Sequence, residues 1–152
     1  MILLESDELV QHTEDIIHRD TQQHDLHVDL TVAEIYRFTG SGSLDFGGSE
    51  FQPAPSEPIE PVKRNPDDDY GWWELDQGTY QARFNEKAVN LQDALLAVSP
   101  HDHAKQAGII ASSSLISFTT GDSELSLNFR VPENGCSIKE NARFASMHIL
   151  TK

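Results

Sequence analysis

Cysteine is nearly absent from this chain: Cys136 stands alone, so neither an internal disulfide nor a multi-cysteine metal site can form. Its place beside the "ENGC" turn reads as that of a small packing residue. Basic side chains are scarce too. Eleven Lys and Arg against 25 Asp and Glu leave a formal charge of -14, which repels phosphate backbones and anionic lipid surfaces and argues against nucleic-acid and membrane partners. The acid surplus suits concentrated salt and ordinary solubility alike. No apolar run approaches the roughly 20 residues that span a bilayer. The opening "MILLESDELVQH" lacks the basic region and small-residue cleavage site of a secretion signal, so the expectation is a cytoplasmic protein. Internal repeats and coiled-coil heptads are also missing.

What is there describes one folded unit. At 152 residues, with 38% hydrophobic and 24% charged side chains, the chain supports one sizeable core, and a single domain over 1–152 is expected. "SDELVQHTEDIIHRD" carries helix-starting residues followed by Leu9, Val10, Ile16 and Ile17, consistent with a short N-terminal helix. From Leu26 to Phe38, "LHVDLTVAEIYRF" alternates apolar and polar residues and predicts a strand. Residues 39–71 collect Gly, Ser and Pro, then the acidic run Asp67-Asp68-Asp69, and predict a loop with a solvated tip. "WWELDQGTYQARFNEKAVNL" reads as two strands around Gln77-Gly78, and "ALLAVSP" as another. "GIIASSSLISFTTG", "SELSLNFRVP" and "CSIKENARFASMHIL" continue the pattern, with turns expected at Gly121-Asp122 and Asn134-Gly135. Many short strands and little helix predict an all-β sandwich or barrel.

The order of "HVDLTVAEIYRF", "GSLDF", "WWELDQGTYQARFNE", "AVSP" and the closing "IKENARFASMHIL" resembles the archaeal branch of the dUTPase and dCTP deaminase superfamily, from about Leu26 onward. The resemblance implies a dUTPase-like distorted jelly-roll, a homotrimer with nucleotide sites between subunits, and a deoxyribonucleoside triphosphate as ligand. It also implies attack of an activated water on the α-phosphate of dUTP, with magnesium gathering the phosphates. Asp29 matches the aspartate of the family's first motif and would help hold Mg2+ through water; His27 stands where the family usually has glycine.

The remaining motifs depart from the family. Its proline, arginine, serine, serine loop reads Pro100, His101, Asp102, His103 here, and Gly108 keeps the downstream register. A carboxylate facing a triphosphate is repulsive, and a neutral imidazole does not replace a bidentate guanidinium. The water-activating aspartate falls at Ser117 and the deoxyribose-backing tyrosine near Thr120. The deaminase glutamate corresponds to Asn128 and the closing-strand glutamine to Ser146, and no glycine-rich tail precedes Lys152. Neither serine nor asparagine is a useful base near neutral pH. These exchanges favour a diverged superfamily member with impaired catalysis, acting in nucleotide binding or as a structural or regulatory homotrimer. The alternative is an active dUTP diphosphatase with a rebuilt site, ahead of a dCTP deaminase.

His101 and His103 share a face of an extended segment and form a weak metal signal without a third ligand. His24, Asp25 and His27 read as solvated residues at a strand entrance. Ser112-Ser113-Ser114 lacks a nucleophile elbow. Arg83, Arg130 and Arg143 are the candidates to supply positive charge, and of the adjacent Trp72 and Trp73 one is expected in the core.

Overall fold

Alternation of apolar and polar residues builds a curled antiparallel sheet, and its longest strand makes the curl possible. The structure, a computed structural model, describes residues 1–152. In chain order the elements are β1 (Ile2–Leu3), α1 (Ser6–Gln11), β2 (Thr13–Glu14), α2 (Arg19–Gln22), β3 (Val28–Phe38), β4 (Ser56–Pro58), β5 (Trp72–Leu75), β6 (Gly78–Pro100), α3 (Asp102–Gln106), β7 (Ser114–Val131), β8 (Cys136–Lys139) and β9 (Arg143–Thr151). A 7-stranded sheet runs β1-β9-β3-β6-β2, with β4 on β3 and β7 on β6; β5 and β8 form a separate 2-stranded sheet.

Curvature comes from β6. Its first part pairs with β3 through Tyr80–Phe84 and its last part with β9 through Ala94–Pro100, while β9 also pairs with β3. Three strands paired with one another in this way cannot lie flat. The bend falls where the β6–β7 register slips, between Ala88 and Leu91, and Asn90 and Asp93 take positive φ there. Gly121, at φ +119, lies opposite Leu91 at the same bend. The apolar residues facing inward, among them Leu30, Ile35, Tyr80, Leu96, Phe129 and Met147, join one hydrophobic cluster of 27 buried residues. This all-β architecture is the one the sequence pattern predicts, down to the short helix α1, although Glu5 caps that helix without a side-chain hydrogen bond.

Several local expectations change. Gln77-Gly78 does not join a hairpin, because β5 pairs with β8 and β6 with β7. "ALLAVSP" is the end of β6, not a separate strand. Gly121-Asp122 is no turn but part of continuous β7. Asn134-Gly135 does turn, yet it hands the chain from β7 to β8, which are unpaired. Gly135 has φ +74, and a Cβ there would sit 2.8 Å from the Leu75 carbonyl oxygen. The expected loop at His101 winds into α3 from Asp102. Residues 39–71 are mostly irregular, as expected, with β4 and bridges at Ser43–Gln52 and Val62–Trp72. Trp73 is core, whereas Trp72 lies half-buried under the Arg64 guanidinium, 3.6 Å from its ring centroid.

Candidate functional site

Strand β3 enters the sheet buried on both faces. Val28, Leu30 and Val32 point into the core, so period-two alternation turns Asp29 and Thr31 to the other face, where they are buried as well. The cover comes from the segment before the strand. The Gln23–Val28 bridge and a hydrogen bond from the His24 N–H to the His27 carbonyl fold residues 23–27 back over Asp29.

A carboxylate with 0% exposure thereby collects cationic and imidazole groups from three parts of the chain. From the strand entrance, His24 Nε2 lies 3.0 Å from Asp29 Oδ2 and His27 Nε2 lies 3.4 Å from Oδ1. From the end of β6, His101 Nε2 lies 3.6 Å from Oδ1. From the start of β9, Arg143 Nη1 donates to Oδ2 at 3.2 Å. The His24 and His27 rings stack with centroids 4.4 Å apart, and His148 of β9 lies 5.5 Å beyond His27. Burial, reinforced by neighbouring imidazoles, pushes His27 and His148 below the ordinary histidine range. Burial also lowers His101, against the pull of Asp29. In spite of these neighbours, Asp29 Oδ1 is buried without a hydrogen-bond partner.

A second polar cluster anchors this one from behind. Glu86 of β6 accepts from the Thr31 N–H at 2.7 Å, from Thr31 Oγ1 at 2.6 Å and from Gln22 Nε2 at 2.8 Å. Gln22 Nε2 also donates to the Asp29 carbonyl at 2.9 Å, and its Oε1 accepts from the N–H groups of Ile17 and His18. Burial pushes the Glu86 carboxyl above its usual range, against the hydrogen bonds from Thr31 and Gln22. This network fixes the segment carrying Asp29 to the rest of the sheet.

Of the residues singled out from the sequence, the fold brings Asp29 and His101 together and places Ser146 opposite Asp29 in the β3–β9 ladder. His103 packs edge-on against His101, ring centroids 4.7 Å apart, and its N–H donates to His101 Nδ1 at 2.9 Å. Asp102 is exposed, 3.5 Å from Lys105. The others lie elsewhere on the chain. Ser117 pairs with Leu95 and Thr120 with Gln92 on the outer arm formed by β6 and β7. Asn128 accepts from Gln81 at 3.1 Å; Gln81 faces Tyr36, seven residues or roughly 20 Å along β3 from Asp29. Asn128 lines an open groove with Ser112, Ser113, Ser114, Ser126 and Arg130. Arg83 lies over the Tyr36 ring at 3.8 Å.

Magnesium, which the resemblance implies, takes oxygen ligands in near-octahedral geometry and sheds water reluctantly. The Asp29 carboxylate is enclosed by imidazole nitrogens and a guanidinium, a donor set that does not fit it. Sequence reasoning missed His24 and His27 as site residues. The signal was the His27-x-Asp29 spacing, which puts both side chains on one strand face. The contribution of His24 rests on the folded-back segment, which has no local signature. On the far side of Arg143, a cavity of about 350 Å3 is lined by Trp72, His103, Ile138, Lys139, Arg143 and Phe144, among others.

No protein-family profile matches the chain. It is 33% identical over 86 residues, 57% of its length, to a probable deoxyuridine 5'-triphosphate nucleotidohydrolase of Methanosarcina mazei, of which the match covers 46%. Its fold resembles that of 2'-deoxycytidine 5'-triphosphate deaminase from Agrobacterium tumefaciens, with a TM-score of 0.62 and 12% identity, over 97% of this chain and 47% of that one. The chain therefore spans about half the length of both. The sequence match supports the resemblance to the dUTPase and dCTP deaminase superfamily, and its archaeal source fits it; the structural match shows the shared fold. No helix is long and apolar enough to cross a membrane.

Proposed function

We propose that this chain, with its dUTPase-like fold, is a diverged nucleotide-binding protein of impaired catalysis that works as a homotrimer, its ligand a deoxyribonucleoside triphosphate. The observation that carries this reading is the state of Asp29. Its carboxylate is sealed from solvent and engaged by His24 and Arg143, so it is poorly placed to activate a water on a phosphate. Ser117 and Asn128 supply no base in its place. Binding is supported by the chemistry beside Arg143. Phe144 and Ile138 offer apolar surface to a flat base, and Arg143 and Lys139 offer charge to phosphate oxygens. The cavity has a volume usual for small-molecule sites.

The test is production of dUMP and pyrophosphate from dUTP, with dCTP alongside, joined to calorimetric titration of both nucleotides and to the mass in solution by light scattering. The expected result is saturable binding by a trimer without turnover. Turnover abolished by Asp29→Ala establishes the alternative, an active dUTP diphosphatase. Absence of any nucleotide binding by a folded trimer overturns the nucleotide reading and leaves a structural role.

A further inference from the structure

Two imidazoles and a carboxylate oxygen converge at the mouth of β3, and the structure accounts for only part of what they could bind. A ring nitrogen of His24, one of His27 and an Asp29 oxygen all lie within 4.8 Å of one another. The His27 Nε2–Oδ1 separation, 3.4 Å, is close to the edge of about 3.3 Å between two ligands held about 2.0–2.1 Å from a tetrahedral zinc ion. His24 Nε2 lies 3.0 Å from the neighbouring Oδ2 in a hydrogen bond that an ion would replace. Independently, Asp29 Oδ1 is a fully buried acceptor without a donor, a costly arrangement that a cation would relieve.

We infer that His24, His27 and Asp29 form a binding site for one zinc-class divalent ion, with Oδ1 as the carboxylate ligand. Arg143 then keeps its hydrogen bond to Oδ2 and orients the carboxylate from outside the coordination sphere. His101 is not a ligand. Its Nδ1 accepts the His103 N–H, so the ring proton sits on Nε2, which faces Asp29 at 3.6 Å and is closed to metal. Mixed imidazole and carboxylate donors select borderline first-row ions such as Zn2+ or Co2+ over Mg2+. Three protein ligands leave a position open to water or an anionic oxygen, on the side where His24 and His27 are partly exposed. The site stands whether or not nucleotide binds.

Tag-free protein, stripped with chelator and dialysed, is titrated with Zn2+ against a chromogenic competitor and with Co2+ read by its visible absorption. The expected result is one ion per chain, an intense tetrahedral Co2+ band and no displacement by millimolar Mg2+. His24→Ala and His27→Ala each weaken binding at least a hundredfold. The outlying His18→Ala changes it less than threefold, His101→Ala weakens it by less than the two ligand variants do, and circular dichroism verifies that all four variants are folded. Absence of stoichiometric binding, binding that survives loss of both His24 and His27, or a hundredfold loss on removing His101 overturns the assignment.

Discussion

The fold buries two carboxylates completely, Asp29 and Glu86, and treats them in opposite ways. Neutral donors from Thr31 and Gln22 meet both oxygens of Glu86. Asp29 is instead ringed by imidazoles and a guanidinium, with one oxygen left bare. Burial alone therefore does not distinguish a structural carboxylate from a functional one. The completeness and kind of the hydrogen bonding do: neutral, saturated partners hold a fold together, whereas charged and unsaturated ones leave capacity for a ligand.

Removing Glu86 is expected to do the greatest damage. Glu86→Ala strands the Thr31 N–H and the Gln22 amide in a dry interior, and each stranded donor costs about 1–3 kcal/mol. A loss of about 3 kcal/mol is expected in urea unfolding; a loss below about 1 kcal/mol would erase the contrast between the two carboxylates. Gln22→Leu, which cuts the link from Glu86 to the Asp29 carbonyl, should cost about 2 kcal/mol. It should also weaken Zn2+ binding modestly, by a change in ligand positioning that leaves the ligands themselves in place.

Asp29→Asn should abolish ion binding while costing only about 1 kcal/mol, because the partners it leaves behind, Arg143 and His24, reach solvent and rehydrate. A destabilisation as large as that of Glu86→Ala would make Asp29 structural and remove the distinction. The finest test is pH. The folded Glu86 carboxyl titrates above its unfolded value of 4.5, so its stabilising contribution is complete below that value and declines as pH rises through the raised one. The stability gap between wild type and Glu86→Gln should therefore narrow from pH 4 to pH 7.5, and a widening gap would reverse the assigned direction.

The strands were legible because alternation is written along the chain, in "LHVDLTVAEIYRF" most plainly. Their partners were not. Gln77-Gly78 and Asn134-Gly135 have the local chemistry of hairpins, but pairing is decided by which sheet covers which apolar face, and both turns pass between sheets. The continuous 23-residue β6 reads as separate strands in the sequence, because Asn90 and Asp93 interrupt its apolar pattern where their positive φ bends the strand. At the site, Asp29 and His101 could be marked through the family resemblance. His24 looked like a solvated entrance residue, since the contact that gives it a role depends on a backbone reversal stabilised by Gln22, Thr31 and Glu86.

The long strand β6 also sets a schedule for assembly. It pairs locally with the next strand, β7, but also with residues as early as Thr13 and as late as Thr151, and those pairings with β2, β3 and β9 reward the chain only after long loops have closed. Such topologies fold in milliseconds to seconds, not microseconds. On the ribosome, Asp29 is synthesised long before Arg143, and the carboxylate has to wait for nearly the whole chain to emerge before β9 arrives to neutralise it.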